Sequence, residues 1–515
     1  MKLIKKINLK FVLISVLILA LFVLSRFLFL GARPVHHDEG MLSYFAYQLT
    51  ASKSYIYTPQ IHGPILFYLT ALVFKFSVSS AAVRVSTALC GIVLGLIALL
   101  GFRKESPRTA YAVAAMFLIS PSLIYFSRFL VHTSIVIIFN LAFVLSLRNF
   151  FKTFKPLHLF LSAGFLALAF GTSETSYIFV AITVAFIPIL FLLNKKSFLE
   201  YWKKFCSYAR VNLFDIFSAI LIFAIMWLLV YSVGLTNIES LKISLPNPFS
   251  PGNGLGFWLS QHKVQLGGQP WFYYLLLSLV YEIVALFGFL IYLPRVFKQK
   301  KPFELFLVWW TVGSFIGFSW AGEKFPWLFL PSLLPLVLSS GYFIGKYWQD
   351  TKRYLQIILA VLALWTVFVA IRLNYVGSYD TRELLVYVQT PKSFEEVEQG
   401  IKQKCQGQGV ECVVVDAKIT WPLAWDFNGM NRLEDFSQSS QIQADLTKYI
   451  LVEPNSVVPD YINDNYTKTS VQLRDWWVPD KYKDLSSISD SLNYFVTRRI
   501  WNDKGGYNID LYEKK

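Results

Sequence analysis

A polytopic α-helical membrane protein ending in an exterior α/β domain is the fold class this sequence predicts, and three observations predict it. The 515 residues are 55% apolar, 17% aromatic and only 16% charged, a balance outside that of soluble globular chains. Apolar runs near the ~20 residues needed to cross the hydrocarbon core recur as far as residue 372. From about Asn374 onward those runs stop, and short strand-like and polar helical patterns replace them.

The elements follow in order. "MKLIKKINLK" is a basic start, and the run at 11–30 reads as an uncleaved anchor, being too long for a signal peptide and lacking a small-residue cleavage site. A polar loop, 31–82, comes next. Within it "GPILFYLTALVFKFSV" (63–78) is apolar enough to span, but reads as a helix lying in or dipping into the outer interface. Ten more runs, at 83–101, 109–126, 129–147, 157–171, 177–194, 213–233, 271–293, 303–320, 326–345 and 354–372, make eleven expected spans. In the tail "KSFEEVEQGIKQK" reads as a helix, and "CVVVDA", "KYILVEP" and "YNIDLYE" as strands. The expected domains are therefore 1–373, with its exterior first loop 31–82, and 374–515.

Orientation follows from the basic residues. Alternate loops, led by Lys2, Arg103, Arg148, Lys195, Arg295 and Lys346, hold twenty-two Lys and Arg, against nine in the other loops before the tail. The expected N-terminus is cytoplasmic, with the acidic loop and the tail exterior. The net charge of +16 is spread over these short clusters, so topology explains it and nucleic acid is not a partner. Cys405 and Cys412 share the exterior tail, where a disulfide between them is expected. The tail's Trp421, Trp425, Trp476, Trp477 and Trp501 suit either sugar stacking or a core.

The stretch "RPVHHDEGMLSYFAYQLTASKSYIYTPQIHGP" (33–64) places His36, His37, Asp38 and Glu39 just after the first span. Met41, Tyr44, Phe45 and Leu49 recur at helical spacing, which puts the acidic pair at a helix N-terminus with its apolar side against the membrane. A solvated turn or a helix cap accounts for such a pair as well as a reactive carboxylate does. "IHGP" then brings His62 to the same surface.

These residues resemble the GT-C superfamily of polyprenyl-phosphate-sugar-dependent glycosyltransferases, which includes the protein O-mannosyltransferases and the aminoarabinose transferases. The blocks "SPSLIYFSRFLVH", "GTSETSYIF", "GQPWFYYLLLSLVYE", "AGEKFPWLFLPSLLPL", "ELLVYVQTP", "TWPLAWDF" and "LRDWWVP" carry the resemblance across nearly the whole chain. Together they look most like the prokaryotic flippase-associated glycosylation proteins. The chain departs from that pattern in three places. Val131, His132 and Thr133 stand where relatives often have an acid after "SRF", "GTSET" replaces "ATKET", and Leu330 and Pro331 stand where a histidine often follows "EKMPWL".

The resemblance implies an inverting transfer of a sugar, a hexose or similar, from a polyprenyl phosphate, dolichyl or undecaprenyl, to a protein, lipid or glycan acceptor on the exterior face of the bilayer. Asp38 matches the first acid of the superfamily's pair and is the expected general base, with Glu39 positioning it. Lys324 in "AGEKFPWL", with Arg84, Arg128 and His62, is expected at the donor phosphate. His37, Glu174 and Glu323 are expected to support the acceptor. No cofactor is expected, although His36, His37 and His62 offer ligand types for a divalent metal. The alternative is a non-catalytic accessory that handles or flips lipid-linked oligosaccharide.

Overall fold

The computed structural model describes residues 9–52, 55–435, 446–479 and 488–515, which form two compact units. One gathers the described residues within Met1–Leu28, Ser54–Leu69 and Arg84–Val376; the other gathers those within Phe29–Lys53, Thr70–Val83 and Gly377–Lys515. The tail thus begins close to the expected residue 374, but much of the first loop belongs with it rather than with the spans.

Up to residue 102 the helices are α1 (Leu9–Phe27), α2 (His37–Ser52), α3 (Ile65–Phe74) and α4 (Ser80–Phe102). Then come α5 (Pro107–Ile119), α6 (Pro121–Ser127), α7 (Thr133–Thr153), α8 (Pro156–Phe170), α9 (Thr175–Leu193), α10 (Lys195–Val211) and α11 (Leu213–Tyr231). Short α12 (Ile238–Ser244) and α13 (Gly254–Gln261) lead to α14 (Tyr273–Tyr281), α15 (Ile283–Leu290) and α16 (Leu293–Gln299). The spans end with α17 (Pro302–Trp320), α18 (Leu330–Tyr347) and α19 (Arg353–Ile371).

Among the described residues eight helices are long and apolar enough to cross a membrane, and ten if each of two bent pairs counts as one span. The expected span 157–171 falls short. Its helix, α8, has 15 residues, about 22 Å at ~1.5 Å per residue against a core of ~30 Å. By the same arithmetic α3, with 10 residues, reaches only about 15 Å.

The two bent pairs are the expected spans 109–126 and 271–293. α5 and α6 meet at 66°, and α14 meets the helical stretch 283–299 at 103°. Ser120 and Pro121 cause the first break, because proline cannot donate back into α5 and the preceding residue is driven to extended backbone, here φ −64, ψ 115. Glu282 stands at the second break, and its Oε1 accepts from Ser120 Oγ at 2.8 Å and Ser122 N at 2.9 Å. One buried carboxylate therefore ties both bends and satisfies an orphan amide of α6.

In the other unit α20 (Lys392–Cys405), α21 (Thr420–Asp426), α22 (Asp460–Asn465) and α23 (Ile488–Thr497) accompany a sheet. Its strands are β1 (Val388–Gln389), β2 (Val413–Asp416), β3 (Asn431–Glu434), β4 (Tyr449–Val452), β5 (Tyr466–Trp476) and β6 (Gly505–Lys514), in the order β1-β5-β6-β4-β2-β3. β2 runs parallel to β3 and β4, and β2 and β4 are buried at every residue, as central parallel strands require. Val413, Val415 and Leu451 face a core with Phe394, Ile401 and Leu423, while Val414, Ile450 and Val452 face one with Ile462 and Tyr512. The expected disulfide is present: Cys405 and Cys412, with Cα atoms 6.0 Å apart, join the end of α20 to the entrance of β2. Most of the tail's tryptophans serve packing. Trp477 is buried against Tyr494 and Trp501, and Trp425 stacks on Phe74.

α2 belongs to this unit because of what its side chains meet. A Cβ on Gly40 would lie 2.8 Å from Pro422 Cβ, so glycine permits the close approach of α2 to α21. Tyr44 and Phe45, expected against the membrane, pack on Trp421 with ring centroids 5.4 and 5.8 Å away. The period was read correctly and the partner was not, since only a contact across some 375 residues of sequence supplies it.

Candidate active site

Two clusters of functional side chains stand out, one in each unit. In the unit containing the tail, the four residues His36 to Glu39 divide into two kinds. His36 is the N-cap of α2, and its Nδ1 accepts from the amide of Asp38 at 3.0 Å. Glu39, three positions on, reaches back so that Oε2 accepts from the His36 amide at 3.2 Å, a capping box. Its Oε1 pairs with Arg33 Nη2 at 3.2 Å, and both side chains are buried. Glu39, expected beside the base, is thus turned into the fold, and the helix-cap reading applies to it and to His36.

Asp38 is left outside this arrangement. Its carboxylate retains 27% of its exposure, with His37 Nε2 3.3 Å from Oδ1. Burial holds the His36 imidazole well below its ordinary range, with the charges of His37, Arg33 and Arg474 adding to the effect. Burial lowers His37 too; Asp38 opposes the shift and Arg474 adds to it. A neutral His36 is what the geometry requires, because an imidazolium at that position could not accept the Asp38 amide.

Three of the quoted blocks converge here. "ELLVYVQTP" supplies Gln389, whose Nε2 donates to Pro34 O at 3.0 Å, and Tyr387, whose hydroxyl feels the charge of Asp38. "TWPLAWDF" supplies Trp421 under Tyr44 and Phe45. "LRDWWVP" supplies Arg474, which donates to Trp421 O at 2.5 Å, while its Nε is buried without a partner among the described residues. Burial lowers the Arg474 guanidinium, and the charge of Asp38 opposes that. Sequence reasoning singled out neither Arg474 nor Tyr387; their presence inside the blocks was the available signal.

In the other unit the centre is His62. Its backbone lies at φ 64, ψ −169, a region that glycine occupies easily and other residues at a cost of about 1–3 kcal/mol. The strain is held by close backbone contact: a Cβ on Gly63 would sit 2.3 Å from Gly171 O, and Gly63 N donates to Thr172 O at 3.2 Å. "HGP" is thereby locked against "GTSET", and His62 Nδ1 lies 2.7 Å from Glu174 Oε2. Tyr57 donates its hydroxyl to the other oxygen of Glu174. Trp258 stacks on His62 at 4.9 Å and His132 meets its edge at 5.0 Å.

Burial works against protonation of His62, but the hydrogen bond and charge of Glu174, with that of Glu323, raise it above its ordinary value. His132, standing where relatives often have an acid, is held well below its ordinary range by burial and then by His62. Its Nε2 is buried without a partner among the described residues. The "SRFLVH" block pointed to His132, whereas Trp258 lies in no quoted block.

The expected cations differ in what occupies them. Lys324 is 8% exposed, its Nζ donates to Ala321 O at 2.6 Å, and it makes no ion pair with a described carboxylate. Burial alone lowers its pKa. Its loop rests on the "GQP" loop, with Lys324 N donating to Leu266 O at 3.0 Å and Gly267 taking φ +89 beside Lys324 O. Arg84 is fully buried in α4. Arg128 has a fold role: its Nη1 donates to Leu28 O at 2.6 Å and Arg26 O at 3.3 Å, closing the C-terminal end of α1, and its guanidinium lies over Tyr375. Glu323 is half-buried.

For a metal, His36, His37 and Asp38 offer ligand atoms within 4.8 Å of one another. The set differs from the expected His36, His37 and His62. His36 Nδ1 already accepts the Asp38 amide and His62 Nδ1 is engaged with Glu174, so coordination through either nitrogen would displace an existing bond.

No family model and no curated protein matches this chain by sequence. Solved structures do match it. ArnT from Cupriavidus metallidurans bound to undecaprenyl phosphate superposes with a TM-score of 0.59 at 13% identity, covering 98% of this chain and 97% of the other. Its apo state gives 0.58 at 12% identity over the same shares. The fold is GT-C-like.

Proposed function

We propose that this protein is a membrane glycosyltransferase that takes a sugar from a polyprenyl phosphate and transfers it to a hydroxyl of a protein, lipid or glycan acceptor on the exterior face. The observation that carries this reading is the division of labour at the start of α2. Two of its four polar residues hold the helix and the third, Asp38, keeps a partly exposed carboxylate. A cap alone needs no such carboxylate. The ArnT neighbour, which shares the fold, is bound to undecaprenyl phosphate.

In the proposed reaction Asp38 takes the proton of the acceptor hydroxyl as its oxygen attacks the anomeric carbon. The bond from that carbon to the phosphate oxygen breaks on the opposite face, so the configuration inverts and the polyprenyl phosphate leaves with the electron pair. Lys324, a buried cation without a carboxylate partner among the described residues, offsets the charge on the departing phosphate, with Arg84 as a second cation. Glu39 is a positioning residue through its hold on His36. His62, Glu174 and Glu323 bind the polar part of a substrate, His62 as a cationic donor, and His37 supports Asp38. No metal takes part in the proposed reaction.

Proteoliposomes given a panel of polyprenyl-phosphate sugars test this. Asp38→Asn keeps the volume and removes the base, so transfer should fall by a factor of about 10²–10⁴ with an unchanged melting temperature. Chelator-treated wild-type protein should retain its activity. Turnover by Asp38→Asn equal to wild type would eliminate the base, and absence of transfer by wild type from every donor would favour the accessory reading, for which the departures at Val131 to Thr133 are the sequence argument.

A further inference from the structure

Toward the opposite end of α9 from Glu174, about 14–24 Å along the helix axis for the lining residues Thr183 to Leu190 at ~1.5 Å per residue, lies a cavity of about 550 Å³ bounded by α7, α8, α9, α10 and the start of α17. That volume falls within the roughly 300–1,000 Å³ of ligand-binding pockets. Its lining is almost wholly apolar: Phe151, Phe186, Phe198, Trp202, Phe303 and Phe306 are representative. α10 forms the roof. Phe198, Tyr201, Trp202 and Phe205 recur at helical spacing on the face turned to the cavity, while the helix carries Lys195, Lys196, Lys203, Lys204 and Arg210 against Glu200 alone.

An amphipathic basic helix of this kind lies at a membrane surface with its apolar side toward the acyl chains. Here that side covers the cavity, with Tyr201 and Phe205 meeting Phe151 at 6.1 and 6.3 Å and Phe198 meeting Phe191 at 5.3 Å, and no residue of α10 is buried. Side chains facing an unfilled gap lose their dispersion contacts, so hydrocarbon from the bilayer is favoured to enter.

The polar residues on the lining give the occupant a head. Arg148 is nine-tenths buried, lies over the Phe303 ring at 3.7 Å, and has its Nε buried without a partner among the described residues. Lys152 Nζ is half-exposed beside it. Glu105 is shared by the two, at 2.6 and 2.8 Å, so this group of three keeps one net positive charge, to which α10 adds more.

We propose that this cavity is a binding site for an anionic glycerophospholipid, one acyl chain inserted beneath α10 and the phosphate held by Arg148 and Lys152. The site is separate from the transfer chemistry and draws its ligand from the leaflet that α10 lies on. A single acyl chain suits a cavity of this size, whereas the much longer branched tail of a polyprenyl phosphate does not.

Native mass spectrometry of delipidated protein tests the site, with phosphatidylglycerol, phosphatidylcholine of the same chains, and a polyprenyl phosphate as probes. One phosphatidylglycerol should be retained at a concentration roughly tenfold below that needed for phosphatidylcholine, a difference set by the headgroup charge. Lys152→Gln should remove that preference, and Ile187→Trp, which fills the half-exposed mouth of the cavity, should weaken retention of both phospholipids. Both positions are solvent- or lipid-accessible, so melting temperatures should hold. Equal retention of the two phospholipids by wild type, or unaltered preference in Lys152→Gln, would overturn the headgroup site. Normal retention in Ile187→Trp would overturn the cavity. Displacement of phosphatidylglycerol by polyprenyl phosphate in wild type would overturn the choice of lipid. None of these readouts depends on sugar transfer.

Discussion

Asp38 and Glu39 are adjacent and chemically alike, yet hydrogen bonding separates them. Glu39 is buried with Arg33, and removing one partner of such a pair costs about 3–5 kcal/mol, so loss of activity in a Glu39 variant reports on folding as well as chemistry. His36 gives a cleaner test. Its pKa is depressed in the folded chain, so it contributes stability that is complete above its ordinary value near 6.5 and is lost as the pH falls through and below that value, because the unfolded chain binds the proton first. Asparagine caps a helix equally well and does not titrate. His36→Asn should therefore show a smaller fall in melting temperature than wild type between about pH 7.5 and about pH 5; parallel falls would contradict a buried neutral His36. For Lys324, methionine keeps the stem and deletes the charge. Transfer by Lys324→Met should drop by about 2–4 kcal/mol of transition-state stabilisation at unchanged melting temperature, with partial activity in Lys324→Arg. Normal transfer by Lys324→Met would move the phosphate role to Arg84.

Among the elements, the bent helices depend most on side chains far away in sequence. The α5–α6 break was foreshadowed by Ser-Pro inside an apolar run, but nothing near Glu282 announces a turn of 103°. That carboxylate satisfies Ser120 and Ser122 across some 160 residues. Glu282→Ala deletes two hydrogen bonds at a buried carboxyl and leaves Ser120 Oγ and the Ser122 amide without this acceptor, at about 1–3 kcal/mol for each unsatisfied buried group, so a loss of about 2 kcal/mol or more is expected. Glu282→Gln, which keeps one acceptor oxygen, should lose less. Unfolding monitored in detergent measures both, and an unchanged Glu282→Ala would show that proline and packing alone set the bends. α2 illustrates the complementary case: its length and N-terminus follow from local capping, while the surface it covers follows from Gly40 and Trp421.

At the scale of the whole molecule, the expected orientation rests on the excess of basic residues in alternate loops. Cysteines placed at Gln60 and Asp503, with Cys90 and Cys206 replaced, should react with a membrane-impermeant thiol reagent from outside. Cysteines at Arg103 and Lys300 should react only after permeabilisation. The disulfide-bonded Cys405 and Cys412 do not interfere. External labelling at Lys300 would mean that the stretch around α3 crosses the membrane after all, and the proposed exterior chemistry would need a different face.

Membrane character, the run of helices and the strands of the tail were all legible in the sequence, because apolar length and period act locally and a bilayer punishes any unsatisfied backbone. The Cys405–Cys412 bridge was legible too, being closed over a short separation. The ordered blocks pointed to the right fold class and to His132, but they held Arg474 and Tyr387 without marking them. Tertiary structure alone decided which carboxylate stays exposed at α2, which arginine closes α1 rather than remaining open to a ligand, and that His62 meets Glu174. The reason is physical: hydrogen-bond partners and close glycine contacts such as Gly63 on Gly171 join residues more than a hundred positions apart, and no local pattern of hydrophobicity or charge records which of them will meet.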